Sequence, residues 1–159
     1  MAIINFEKIA DDVSLAEVPD GYRNLIWKYF IATDDDVLPT GPGLANAVHS
    51  GEAAAFKGDE KPSSFKSSDS EDDFDLNSGF FAAFNANDLK VKVFGFDDGE
   101  RVAKKVLLLD TEREFVTFGR QFDDIDEVRF QAKGGTDPDP TDNISLTQSF
   151  GVDDLFIDF

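Results

Sequence analysis

Apolar and polar residues alternate along much of the chain with the period of two that is typical of β-strands. In the clearest run, residues 74–85, every second position is predicted to share one apolar face: Phe74, Leu76, Ser78, Phe80, Ala82 and Phe84. Strand-like segments recur about every 10 to 14 residues, a spacing typical of sandwiches and not of βαβ units. The pattern therefore predicts an all-β antiparallel sandwich of the jelly-roll kind, as a single domain over residues 1–159.

The remaining strands are predicted from the same alternation and from the turn residues between them. In the segment 22–33, the more apolar face is predicted to hold Leu25, Trp27, Tyr29 and Ile31. Asp97, Asp98 and Gly99 predict a hairpin turn, and the glycines and prolines of 134–140 predict a loop. Further strands are predicted at 2–7, 45–50, 52–57, 63–67, 89–96, 102–109, 114–119, 127–133 and 150–159.

The net charge of the chain excludes two classes of partner. The 33 acidic and 15 basic residues give a net charge of -18, which repels phosphate backbones and anionic membrane surfaces. We therefore expect neither nucleic-acid binding nor membrane insertion.

The chain has no Cys, which excludes a disulfide framework and a thiol nucleophile. No signal peptide or apolar membrane span is visible, so either the protein is cytoplasmic or a leader has been removed.

Catalytic chemistry finds little support. His49 is the single histidine, and a Ser/His arrangement around it stays open, although a lone histidine is usually structural or exposed. The chain has no Gly-x-Ser-x-Gly elbow and no phosphate-binding glycine loop. A glycosidase needs two carboxylates at a set separation, and some pair among 33 acids meets that condition by chance. We predict no catalytic residue and no enzyme.

Carboxylates at the two chain ends suggest a cation site. Glu7 follows the first predicted strand, and Asp153 and Asp154 lie in the last. If these strands are neighbours in the sandwich, the three carboxylates could meet around one calcium ion, which takes several oxygen ligands. The ion would offset their mutual repulsion.

Three aromatic residues are candidates for sugar stacking: Tyr22, Trp27 and Tyr29. Sugar sites commonly use exposed rings that pack against the apolar faces of the ligand. The strand pattern places Trp27 on the core face, so the core interpretation is favoured for that residue.

Six segments in order, covering nearly the whole chain, resemble a family of mostly uncharacterised secreted β-sandwich proteins of fungi and bacterial surface proteins, itself similar to carbohydrate-binding-module jelly rolls. These segments are 4–7, 21–30, 74–84, 91–95, 124–130 and 152–156. In such jelly rolls a structural calcium commonly lies between an early Phe-Glu and a late Asp-Asp. The resemblance thus implies Glu7, Asp153 and Asp154 as its ligands. The acidic stretches 34–36 and 67–73 depart from the family.

Three functions stay open. The leading prediction is a non-catalytic, calcium-stabilised binding module for a glycan or cell-surface polymer, located outside the cell or on its surface. The alternatives are a calcium-dependent structural or adhesive protein and, third, a polysaccharide-active enzyme with unidentified carboxylates. The ligand and the oligomeric state are not specified by the sequence.

Overall fold

The computed structural model describes residues 2–10, 15–34, 42–57, 61–139, 141 and 148–159. Over these residues the chain folds as the predicted antiparallel β-sandwich, two sheets packed face to face. Two short helices accompany them, α1 (Glu7–Ala10) and α2 (Pro42–Ala47), with single 3-10 turns at Tyr22–Asn24 and Arg120–Phe122. The strands are β1 (Ala2–Ile4), β2 (Ala16–Glu17), β3 (Leu25–Lys28), β4 (Ile31–Asp34), β5 (Ala53–Phe56), β6 (Ser63–Ser67), β7 (Asp75–Ala83), β8 (Asn87–Asp97), β9 (Glu100–Leu109), β10 (Glu114–Thr117), β11 (Glu127–Thr136) and β12 (Phe150–Asp158).

The two sheets divide the strands unevenly. Sheet A has the order β10-β7-β12-β5-β4-β2, and β1 pairs with β12 beside β5. Sheet B has the order β3-β6-β11-β8-β9. The first and last strands are therefore neighbours, as the calcium prediction requires: Ala2 pairs with Ile157 and Ile4 with Leu155.

Phenylalanine rings fill the space between the sheets. Phe130 of sheet B contacts Phe150 and Phe81 of sheet A, with ring centroids 5.6 and 6.2 Å apart. Phe30 meets Phe130 edge to face at 5.8 Å. All four are at most 2% exposed, and burying each such side chain stabilises the fold by roughly 1.5–3 kcal/mol. The abundance of Phe in the sequence is thus explained by the core.

The single strand predicted over residues 22–33 is wrong, because the chain changes sheets within it. β3 pairs with β6 in sheet B, whereas β4 pairs with β5 in sheet A. The change occurs at Tyr29, whose φ is 58°, and at Phe30, which is buried between the sheets. A residue in the left-handed region ends a strand and redirects the chain.

The predicted apolar face of residues 74–85 holds for Leu76 but not for Phe80. Phe81, not Phe80, is fully buried in the main core, while Phe80 is half-buried on the outer side. Leu76 and Phe81 are an odd number of residues apart, so the alternation shifts by one between them. The shift lies opposite a bulge in β12, where the register changes between Asp153 and Phe156.

Two other segments differ from prediction. Residues 45–50 do not form a strand, because α2 ends at Ala47 and a turn follows. The predicted loop 134–140 begins later, since β11 continues to Thr136, which pairs with Asn87. The strand accommodates Gly134 and Gly135 with φ of 80° and 86°, values that glycine adopts without strain. The hairpin at Asp98 and Gly99 is confirmed, with φ of 49° and 80°.

Candidate functional site

An open cleft of about 560 Å³ lies where the chain changes sheets. This volume is within the range of sites that hold small molecules. Its polar groups include the exposed Glu17 and Lys28, which can accept and donate hydrogen bonds. Its lining residues are Glu17, Val18, Trp27, Lys28, Tyr29, Phe30 and Ile31. The cleft therefore combines apolar surface with a few polar groups, the composition of a ligand site.

Tyr29 is unusual among the lining residues because it is 47% exposed and has a positive φ. A bulky side chain in the left-handed region carries backbone strain, and residues of this kind concentrate at functional sites. The ammonium of Lys61 lies 5.2 Å from the centre of the Tyr29 ring, a cation–π contact that helps to orient the ring. Tyr29 thus presents an aromatic ring to solvent at the cleft.

Trp27 is 5% exposed and belongs to the core, which confirms its core interpretation. Its ring packs on Phe65 at 5.1 Å and on Phe6 at 5.6 Å, and its Nε1 donates a hydrogen bond to the carbonyl of Tyr22 at 3.0 Å. Tyr22 is half-buried against the same core and is not among the cleft lining. Of the three aromatic candidates, the structure brings Trp27 and Tyr29 to the cleft and places Tyr22 elsewhere.

The predicted metal ligands lie at a second place, the chain-end junction, formed by Glu7, His49, Ser50, Asp153 and Asp154. Asp153 sits in the β12 bulge and is fully buried. Its Oδ2 accepts hydrogen bonds from the backbone N–H groups of His49 at 2.7 Å and Ser50 at 3.0 Å. Its Oδ1 accepts from the N–H of Asp154 at 2.8 Å. The bulge thus aims a buried carboxylate at three backbone donors.

Burial raises the pKa of Asp153 to about 6. The desolvation of the carboxylate is the largest cause, and the neighbouring Asp154 charge raises it further. The backbone donors of Ser50, His49 and Asp154 act in the opposite direction, because they stabilise the ionised form. The balance leaves a carboxyl group that titrates close to neutrality.

Asp154 binds both polar side chains of the adjacent turn. Its Oδ2 lies 2.7 Å from His49 Nδ1, and its Oδ1 accepts from the Ser50 hydroxyl at 2.8 Å. The His49 ring also stacks on Phe80, with centroids 3.6 Å apart. A nucleophilic serine needs the imidazole as its base, but Ser50 donates to the carboxylate that holds His49. The geometry is that of a structural contact and not of a Ser/His nucleophile pair.

Glu7 holds the other side of the same turn. Its carboxylate accepts from the backbone N–H of Ala53 at 2.9 Å and of Glu52 at 3.1 Å. A Cβ at Gly51 would overlap this carboxylate, and Gly51 has a φ of 64°. Only glycine therefore allows the approach. Glu7 and Asp153 both contact the segment 49–53, so the structure brings the two chain ends together through this turn.

Glu7 and Asp153 face backbone N–H groups, and Asp154 faces the His49 and Ser50 side chains. A calcium ion instead requires oxygen ligands directed at one point. Among the described residues, no group of three or more His, Asp or Glu side chains is arranged to hold a metal ion. In this arrangement the residues do not fit a cation site, because the turn already provides donors to all three carboxylates. Calcium binding at Glu7, Asp153 and Asp154 stays a prediction.

Sequence reasoning missed several of these features. The pairing of Asp154 with His49 depends on α2 and the turn after it, which the sequence pattern assigned to a strand. Lys28 and Glu17 reach the cleft because β3 and β4 belong to different sheets. The available signal was the pair of bulky residues, Tyr29 and Phe30, that interrupts the alternation.

The protein is thus an antiparallel β-sandwich with an open cleft where the chain changes from sheet B to sheet A. Among solved structures, the chain is similar to a DUF4465 family protein from Bacteroides ovatus, with a TM-score of 0.54 and 8% identity, covering 89% of this chain and 81% of that one. It also overlaps TmCBM61 in complex with β-1,4-galactotriose, with a TM-score of 0.43 and 9% identity, covering 97% and 93%. No protein-family model and no curated protein matches the sequence.

The likeness to the Bacteroides protein supports the fold, which agrees with the β-sandwich that the sequence resemblance implies. No match identifies the fungal and bacterial family itself. No helix within the described residues is long and apolar enough to cross a membrane.

Proposed function

We propose that the protein is a non-catalytic, glycan-binding β-sandwich module that holds its ligand in the cleft beside Tyr29. The observation that carries the proposal is the exposed ring of Tyr29, held at a strained backbone position at a cleft of about 560 Å³. A sugar offers an apolar face to such a ring and hydroxyl groups to neighbouring polar side chains. Glu17 and Lys28 supply an acceptor and a donor at that cleft.

A non-catalytic role is supported by the arrangement of the polar groups. Ser50 and His49 are both engaged by Asp154, and the cleft itself contains a single carboxylate residue, Glu17, among its described lining. Glycoside hydrolysis ordinarily needs two carboxyl groups on either side of the bond. For a ligand of this kind we propose a location outside the cell or on its surface.

The test is a glycan array followed by titration with the ligands that bind. Trp27 is the single tryptophan and lines the cleft, so its fluorescence reports occupancy. We expect Tyr29→Ala to weaken binding about tenfold, because an aromatic contact contributes roughly 0.5–1.5 kcal/mol beyond its buried area. Phe115→Ala is the matched control, since Phe115 is 54% exposed and lies on β10, away from the cleft. Equal affinity of Tyr29→Ala and the unmodified protein would overturn the proposal.

A further inference from the structure

The outer face of sheet B carries a row of residues that starts at the cleft and crosses all five strands. Strand pairing places Lys28 of β3 opposite Ser64 of β6, and Ser64 opposite Arg129 of β11. The same row continues through Phe94 of β8 to Lys104 of β9. With neighbouring strands about 4.8 Å apart, the row spans about 19 Å. Lys28 lines the cleft, so the cleft and the row are continuous.

This face is basic in an acidic protein. Adjacent rows pair Lys90 with Lys133 and Lys92 with Gln131, while Glu127 is the one carboxylate in the paired outward rows of the described residues. We call the face with its eight cations the basic face. They make up more than half of the 15 Lys and Arg in the chain: Lys28, Lys66, Lys90, Lys92, Arg101, Lys104, Arg129 and Lys133.

Most of these cations have no carboxylate partner, although acidic residues outnumber basic ones two to one. Glu127 engages Arg129 through two hydrogen bonds of 2.7 and 3.0 Å. Across the described part of the chain, no ion pair involves the six lysines of the basic face. Lys90 and Lys133 lie directly opposite each other, and like charges in that position are destabilising. Stability of the fold does not explain this arrangement, which favours a role in binding.

The net charge of -18 does not cancel the local field of the basic face. At physiological ionic strength the Debye length is about 8 Å. The two sheets of a sandwich lie about 10 Å apart, so carboxylates on the outer face of sheet A are beyond that distance. Asp126 acts on Arg129 at the Glu127 end of the face, so an anion is attracted mainly where lysines alone face it, around Lys90, Lys92 and Lys133.

We propose that the basic face binds a linear anionic polysaccharide, carboxylated or sulfated, that extends from the Tyr29 cleft along the row to Lys104. The inference rests on the proposed function, because it identifies the glycan of the cleft as a charged polymer. Single-stranded nucleic acid fits less well: Arg101 and Arg129 lie over the rings of Phe94 and Phe96 at 5.1 and 4.1 Å. Phe94 and Phe96 are also half-buried, whereas Tyr29 is exposed, so these two rings offer little surface for base stacking.

The experiment compares polymers that share a backbone and differ in charge: polygalacturonate with its methyl ester, and dextran sulfate with dextran. Binding is measured by affinity electrophoresis and calorimetry at low and high salt. We expect at least one charged polymer to bind about tenfold tighter than its neutral form at low salt, and the preference to shrink as salt rises. Equal affinity for charged and neutral forms of both polymers would overturn the inference.

Charge reversal tests the position of the site. The Lys90→Glu/Lys133→Glu double variant should lose binding of the charged polymer by about tenfold or more. The double variant Lys8→Glu/Arg113→Glu changes the net charge equally on exposed residues away from the basic face, since Lys8 lies in α1 and Arg113 lies over the ring of Phe80 in sheet A. It should bind within about twofold of the unmodified protein. An equal loss in both variants would show a net-charge effect and contradict the proposed site. If the Lys90→Glu/Lys133→Glu variant does not fold, the neutral Lys90→Gln/Lys133→Gln variant is used in its place. Its melting curve shows whether it is folded.

Two further arms separate this inference from the proposed function. If Tyr29→Ala abolishes binding of a neutral glycan but no charged polymer is preferred, the proposed glycan site in the cleft is supported. The proposed role of the basic face is then contradicted. If Tyr29→Ala binds the charged polymer unchanged while the lysine variants lose binding, the cleft is not the glycan site. A track that extends from the cleft along the basic face would then also be contradicted. Binding of duplex DNA as tightly as the polysaccharide would replace a polysaccharide site with a general polyanion surface.

Discussion

The chain-end junction and the basic face both concentrate like charges, but the two regions provide for those charges differently. At the junction, Asp153 and Asp154 are almost wholly buried, and their oxygens accept hydrogen bonds from the turn at His49 and Ser50. On the basic face, the lysines are mostly exposed and have no ion-pair partner among the described residues. Buried charge requires partners for folding, whereas exposed charge without partners remains available for a ligand.

The largest effect should come from Asp153→Ala. The substitution leaves three backbone N–H groups of the junction without their acceptor, and each buried unsatisfied donor costs about 1–3 kcal/mol. We expect the free energy of unfolding in urea to fall by roughly 3 kcal/mol or more. Asp72→Ala, an exposed position, serves as control and should change stability by less than about 0.5 kcal/mol. Similar small changes in both variants would remove the contrast between the regions.

Calcium provides the next test of the junction. If an ion binds the native state at Glu7, Asp153 and Asp154, excess calcium should raise the melting temperature and chelator should lower it. At a hundredfold excess of calcium over Kd, the free energy of unfolding should rise by about 2.7 kcal/mol. Glu7→Gln should reduce this response. A melting temperature that does not change with calcium, or an equal response in Glu7→Gln, would contradict the calcium site. The hydrogen bonds of the turn would then be what stabilises the carboxylates of the junction.

The raised pKa of Asp153 predicts a pH effect of intermediate size. The carboxyl group binds its proton more tightly in the folded protein, where its pKa is about 6, than in the unfolded chain, where it has the ordinary pKa of 3.8. Between these values the folded state holds the additional proton, so this group's contribution to stability falls as pH rises and is lost above about pH 6. We expect a loss on the order of 2 kcal/mol.

The measurement is urea unfolding from pH 4 to 7 in chelator, for the unmodified protein and for Asp153→Asn. The difference between the two pH profiles is the informative quantity, because the substitution removes the Asp153 carboxyl. Parallel pH profiles would show that Asp153 does not titrate in this way.

The smallest effect should come from the basic face. Replacing Lys133 with Gln relieves its opposition to Lys90, and we expect stability to rise by about 0.3 kcal/mol. A double-mutant cycle with Lys90→Gln isolates the coupling of the pair. A clear destabilisation by either substitution would mean that these lysines support the fold, and the contrast with the junction would be lost.

Much of the fold was predictable because strand alternation is a local property. The Asp97–Gly99 turn and the strand at Ser63–Ser67 follow from side chains close in sequence. The sheet change at Tyr29 and the shifted alternation before Phe81 were not predictable in this way. Both depend on which distant strand lies alongside, and β12 with its bulge is about 75 residues away from β7 in the chain.

The candidate sites also differ in whether they depend on local sequence or on the order of the strands. That Glu7 and Asp153 contact the same turn agrees with the expectation that the end strands are neighbours, which the structure confirms. Tyr29 was found from its residue type alone. The basic face was not found, although Lys90 and Lys92 alternate visibly with buried residues, because the opposition of Lys133 to Lys90 requires the strand order.

The place of β12 in sheet A has a consequence for how the chain reaches its native state. β12 lies between β7 and both β5 and β1, yet it follows all three in the sequence. During synthesis these strands leave the ribosome before the strand that joins them, so the edges that pair with β12 stay unpaired until β12 has been made. Unpaired edges invite association with other chains. Folding yield should therefore depend on chaperones or slow expression more strongly than the stability of the finished sandwich suggests.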